Sequence, residues 1–256
     1  YGRLLDRKRF AYYFEGGSRD AIIEALACYQ NPDGGFGNGI ELDIMCPMST
    51  GIGTETAMFL LDELNATTGE MVERVEAWIV ASQHPNGAIA HPPSGLTAYP
   101  HGDWWANSDP NRVLSLAGLL GKWGRGNETF FNRTHAYFKT TTIGEIAIYN
   151  YFNYLYLRYA PGVKNREELL SPIQRQIPVL LTESATYHPL FVPYWSLAID
   201  EVDGETLESE TKKLVGDFEA DGGLKSPYPD LSWWRPVWTL SALIGLKTHG
   251  LLTMGQ

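Results

Sequence analysis

The chain holds 256 residues, 44% of them hydrophobic and 20% charged, which is enough to bury a substantial core and is ordinary for a globular protein. Acidic residues outnumber basic ones 30 to 20, for a formal net charge of -10. With no dense basic patch, that charge repels phosphate backbones and excludes nucleic acid as an expected partner. No stretch approaches the ~20 apolar residues of a membrane-spanning helix, and the opening YGRLLDRKRF lacks the apolar run of a signal peptide.

Taken in chain order, Arg19 to Tyr29 reads as a helix, with Ser18 as N-cap and Ile22, Ile23, Leu26 and Ala27 on one face. Asn31-Pro-Asp-Gly-Gly ends it, because proline breaks the ladder and glycine permits positive φ. Residues 36 to 53 read as a long Gly/Pro-rich loop. Helical spacing resumes over Thr54 to Leu64 and Thr68 to Ser82, and a second loop runs from Gln83-His-Pro-Asn-Gly87 to Asp109. Further helices are predicted at Asn111 to Trp123, Phe130 to Phe138, Ile143 to Tyr159, Arg166 to Leu181, Thr206 to Phe218 and Trp234 to Leu246. In the fourth-from-last of these, Tyr149, Tyr151, Phe152, Tyr154, Tyr156 and Tyr159 ring the whole circumference, so it is expected to be well buried. Strand alternation is nearly absent. The expectation is one all-α domain over residues 1–256.

The chain has 8 Trp, 14 Tyr and 10 Phe, suited to a packed core and to a pocket for an apolar or ring-shaped ligand. Cys28 and Cys46 allow at most one disulfide, and Cys28 falls in an apolar helical pattern that predicts burial. Sequons stand at Asn65, Asn127 and Asn132, and the first residue is Tyr1, so cytoplasmic and secreted locations both stay open.

A short unit repeats. Gln30-Asn-Pro-Asp-Gly-Gly-Phe36 aligns with Gln83-His-Pro-Asn-Gly-Ala-Ile89, and Glu219-Ala-Asp-Gly-Gly-Leu224 is a looser third copy in which Glu219 takes the place of the Gln. Repeated helix pairs point to a solenoid or a closed ring. The Gln is expected to hydrogen-bond a neighbouring helix end, and the Phe or Ile to pin the loop. YQNPDGGFG and SQHPNGAI resemble the glutamine and Gly-aromatic repeats of the terpenoid cyclase and protein prenyltransferase superfamily. That resemblance implies an α/α toroid of inner and outer helices around a central cavity. The Asp-x-Asp-Asp and Asp-Asp-x-x-Asp motifs and the zinc ligands of that superfamily are absent, so neither metal nor cofactor is expected.

Two loops carry candidate chemistry. The first offers Glu41, Asp43 and Glu55 among glycines. A carboxylate facing an apolar cavity has a raised pKa and suits a general acid. Alternatively, Glu41 and Asp43 brace a loop, and Glu55 sits at a helix opening where the dipole favours it. The second, His91 to Asp109, contains His101 and Asp103 as a candidate acid–base pair. It also holds Trp104 and Trp105 as platforms for a sugar or a cation, and Asp109 as a further acid or an N-cap. Tyr194 with Trp195, and Trp233-Trp234-Arg235, repeat the aromatic theme. Arg235 suits either an anionic ligand or a neighbouring acid.

Three functions compete. One is an enzyme that starts cyclisation or isomerisation of an apolar, terpenoid-like substrate with an acid. The second is a carbohydrate-active hydrolase or lyase with paired carboxylates. The third is a non-catalytic binding protein.

Overall fold

The computed structural model describes residues 2–107, 109, 111–141, 151–183, 188, 191, 193–225 and 230–252, with the backbone alone at 180–183, 194 and 195. Tyr149, Tyr187 and the side chains of Tyr194 and Trp195 therefore lie outside the described residues. The helices are α1 (Leu4–Phe14), α2 (Arg19–Ala27), α3 (Gly51–Glu63), α4 (Glu70–Ser82), α5 (Arg112–Lys122), α6 (Glu128–Phe138), α7 (Tyr151–Tyr159), α8 (Arg166–Glu183), α9 (Pro193–Ser196), α10 (Gly204–Gly216) and α11 (Trp234–Thr248). Among the described residues there is no β-strand, only isolated bridges, so the chain is all-α. None of the described helices is long and apolar enough to cross a membrane.

The chain divides into two compact units, residues 26–173 and residues 1–25 with 174–256. In the first, α5 packs against α3, α6 and α7. It is buried from Arg112 to Leu120. Gly118 and Gly121 let α7 approach to backbone distance: a Cβ on Gly118 would stand 2.5 Å from the Leu155 carbonyl, and one on Gly121 2.4 Å from the Tyr159 oxygen. Val72, Val75 and Ile79 bury one face of α4 at helical spacing. Thr50 starts α3 by accepting the Gly53 N–H at 2.9 Å, three residues earlier than the sequence suggests.

The repeated turns share one build. Antiparallel bridges join Gln30 to Phe36, Gln83 to Ile89 and Phe218 to Leu224. Inside each, an acceptor side chain takes the N–H two residues on: Asp33 from Gly35, Asn86 from Ala88 and Asp221 from Gly223. Gly34, Gly87 and Gly222 supply the positive φ. The expected Gln contact is present. The Gln30 amide donates to the Met71 carbonyl at 3.0 Å, in the first turn of α4. The Gln83 amide donates to the Phe130 carbonyl at 3.2 Å, in the first turn of α6. Phe36 and Ile89 are buried as pins. The third register needs correcting by one residue, because the bridge puts Phe218, not Glu219, at the Gln position.

In the unit of residues 1–25 and 174–256, α1 packs on α11. The Lys247 ammonium donates to the Tyr13 carbonyl and stands 4.9 Å from the Phe14 ring. Helix α1 carries no apolar stripe that the sequence pattern reveals, because its buried positions are Leu5, Asp6 and Arg9. Asp6 instead ties the helix start through Arg3. Cys28 is exposed, against expectation, since α2 stops at Ala27 and the turn carries Cys28 off the apolar face; both cysteines are free.

Candidate functional site

The two loops singled out from sequence fold onto each other within the unit of residues 26–173. Ile44 bridges His101. Met45 N–H donates to the Pro100 carbonyl at 2.9 Å, and Gly102 N–H to the Asp43 carbonyl at 2.8 Å. Ile44, Cys46, Ile52 and Leu96 form an apolar cluster beneath, flanked by Met48 and Trp105. Gly37 allows the first loop to cross itself, since a Cβ there would stand 2.2 Å from the Met48 carbonyl.

Asp43 sits at this junction and is 8% exposed. Burial pushes its carboxyl above the usual carboxylate range, and the indoles of Trp105 and Trp104 offset only part of that rise. Among the described residues no ion pair reaches it. Asp43 Oδ1 and Trp105 Nε1 are buried, and neither completes a well-formed hydrogen bond. The indoles thus lie near enough to act on the carboxyl's charge without closing a bond. Trp105 also meets His91, whose Nε2 donates to the Trp105 carbonyl at 2.9 Å. The His91 ring stands edge-on to the indole at 5.8 Å. Burial lowers the His91 pKa, which the Trp105 carbonyl opposes, so the imidazole is neutral with Nδ1 as its lone-pair nitrogen.

A second cluster lies behind. Arg112 donates to Glu55 at 2.6 Å and to Asp109 at 2.5 and 3.0 Å, and also contacts the Tyr151 hydroxyl. Tyr151 donates to Glu55 at 2.9 Å, and Ser115 donates to the other Glu55 oxygen. The guanidinium lies over the Phe152 ring at 4.5 Å and the Trp105 ring at 5.9 Å. Burial works against the Arg112 charge, but Glu55, Tyr151 and Asp109 outweigh it and raise its pKa. Burial raises the Glu55 pKa, against the pull of Arg112, Ser115 and Tyr151. Every Glu55 oxygen is thus engaged. Glu55 stands in the second turn of α3, past the end where a helix dipole would explain it.

The other candidates disperse. Glu41 accepts from Thr56 Oγ1 at 2.9 Å. His101 turns Nδ1 to the Tyr99 carbonyl at 2.7 Å, Asp103 is exposed, and among the described residues no hydrogen bond joins the two as a candidate acid–base pair. Asp109 pairs with Arg112, while Asn111 holds the N-cap position of α5. Trp104 is half exposed and Trp105 half-buried. In the other unit, Trp233 is exposed and Trp234 stacks on Trp238 at 5.4 Å. Arg235 is engaged by Glu219 at 2.7 Å and Asp221 at 2.5 Å, the acid-pairing alternative. Arg112, Ser115, Tyr151 and His91 were not among the expected acids and platforms. The one local signal for Arg112 was its place three residues after Asp109.

No group of three or more His, Cys, Asp or Glu among the described residues is placed to hold a metal ion. Comparison of the chain with family models, curated proteins and solved structures returns no match.

Proposed function

We propose that the chain is an enzyme of the terpenoid cyclase and prenyltransferase type, isomerising or cyclising an apolar, isoprenoid-like substrate, with Asp43 as its acid. The observation that carries this reading is the Asp43 carboxyl. It is buried beside two indoles, unpaired by any described cation, and raised in pKa. Such a carboxyl keeps its proton to higher pH and holds it beside rings that favour a developing carbocation. In the step, Asp43 gives its proton to one carbon of a C=C bond, whose π pair forms the new C–H bond. The neighbouring carbon becomes cationic. In cyclisation a second π bond attacks it, the far carbon of that bond becomes cationic, and the Asp43 carboxylate takes a proton from a carbon beside that cation, whose C–H pair closes the product double bond. In isomerisation the Asp43 carboxylate takes a proton from an adjacent carbon, and that C–H pair closes the shifted double bond. No oxidant or reductant is consumed.

We read the helices as an α/α toroid. The repeated turns, and the side-by-side packing of α3, α5 and α7, support that reading.

The test is turnover of a panel of isoprenoid alkenes and alcohols in D2O, read by mass spectrometry. Wild type should place deuterium in an isomerised or cyclised product. Asp43→Asn should lower the rate by about 10²-fold or more. Unchanged turnover in that variant refutes Asp43 as the acid. A carbohydrate reading rests on Trp104, a half-exposed indole beside a buried acid. Asp43-dependent cleavage of oligosaccharides or aryl glycosides, without isoprenoid turnover, would establish it instead.

A further inference from the structure

Among the described residues, a helix covers two of the three repeated turns and none covers the third. A Cβ on Gly34 would stand 2.3 Å from the Arg74 carbonyl oxygen of α4, and one on Gly87 2.4 Å from the Arg133 carbonyl oxygen of α6. At Gly222, in the same place and with the same positive φ, no described atom lies within 4 Å. The helices seated on the first two turns open alike, with an apolar residue and an arginine three positions on: Met71 and Arg74, Phe130 and Arg133. Arg74 also donates to the carbonyl of Asn31 at 2.6 Å, the position that Glu219 holds in the third turn. The third turn replaces the Gln by Phe218, so the contact it offers there is apolar. Val215, just before it on α10, is 55% exposed.

One helix start elsewhere in the same unit has the matching pattern and leaves it open. Helix α1 begins Leu4-Leu-Asp-Arg7, with Leu4 51% exposed and Arg7 and Phe10 also exposed. Within one chain this helix does not seat on the third turn, because no described atom of α1 lies within 4 Å of a Cβ on Gly222.

We propose that the 219–224 turn docks the first turn of α1 from a second copy of this chain, and that two copies exchange this contact reciprocally in a two-fold dimer. Leu4 meets Phe218 and Val215. Arg7 reaches the Glu219 carbonyl beside the Glu219 and Asp221 carboxylates, as Arg74 reaches Asn31. The bare Gly222 lets the α1 backbone close in, as Gly34 and Gly87 do for α4 and α6.

Analytical ultracentrifugation over the micromolar to high-micromolar range tests this. Wild type should pass from monomer to dimer. Leu4→Asp, Arg7→Glu and Gly222→Ala should each weaken the dimer by about tenfold or more. All three change exposed positions, and circular dichroism checks that the helices persist. A mixture of Leu4→Asp and Gly222→Ala chains retains one intact contact and should associate more strongly than either alone. A wild-type monomer at every concentration overturns the proposal, as does a dimer indifferent to all three changes. A chain that stays monomeric yet binds a peptide of residues 68–82 at the 219–224 turn also overturns it, since the occupant is then a helix from another source.

Discussion

Replacing Gly118 by Ala sets two effects of opposite sign against each other. Inside an exposed helix the change stabilises by about 1 kcal/mol, because glycine has the larger conformational entropy to lose. Here the added Cβ would meet the Leu155 carbonyl carbon and oxygen at 2.5 Å and the Leu155 Cβ at 2.9 Å. Ordinary contact needs about 3.5 Å or more, so α7 must retreat by about 1 Å along its interface with α5. Both sides are backbone or buried side chain and cannot rotate away. Overpacking of this kind typically costs about 1–3 kcal/mol, and backbone displacement puts it at the upper end. The net expectation is a loss of about 1–2 kcal/mol. Urea unfolding followed by far-ultraviolet circular dichroism reads it as a lower midpoint. Gly216→Ala, at the end of α10 with no described atom within 4 Å and no positive φ, is the control and should hold or raise the midpoint. Gly118→Ala at or above wild-type stability would refute the close α5–α7 contact.

Gly34→Ala should destabilise by about 3 kcal/mol or more, from positive φ plus collision with Arg74, whereas Gly222→Ala in the isolated monomer should cost only the φ term of about 1 kcal/mol; equal melting shifts would refute the difference between the turns. Arg112→Met should cost about 3–5 kcal/mol by removing the buried cation of Glu55 and Asp109, and adding Glu55→Gln should recover part of that in chemical unfolding. Asp43 binds its proton more tightly folded than unfolded, so it contributes stability while protonated. That contribution falls as pH rises from its ordinary 3.8 through the raised folded value. Asp43→Asn should match wild type at low pH and exceed it at neutral pH, and a stability difference that does not change with pH would refute the raised value.

Much of the architecture was legible because helical spacing reports burial directly. Ile22 and Leu26 are buried as their spacing implied, Ile23 is half-buried, and Ala27 of the same expected face is exposed because α2 ends there. The turns were legible because proline, glycine and an acceptor side chain have few other uses in that order. Helix α1 escaped because charged residues occupy its buried side. The third turn was misaligned by one, since Glu219 looks chemically closer to Gln than Phe218 does, and only the backbone bridge fixes the register. The Arg112 cluster joins residues 57 and 96 positions apart, Arg112 to Glu55 and Tyr151 to Glu55, and local pattern carries no record of such pairs. The meeting of the two candidate loops was equally non-local, and it is what brings Asp43 to Trp105.

The Gln30 and Gln83 amide contacts bear on the order in which the chain folds. They span 41 and 47 residues, so their long loops, each enclosing one α-helix (α3 or α5), are costly to close early. Each is therefore expected to form late, on a structure already assembled by apolar contact. Removing one, as in Gln83→Leu, should leave the refolding rate nearly unchanged and speed unfolding, since interactions absent from the transition state act on the escape rate. On that expectation, the persistence time of the native state rests in part on two side-chain amides, each seated on the first turn of a helix later in the chain.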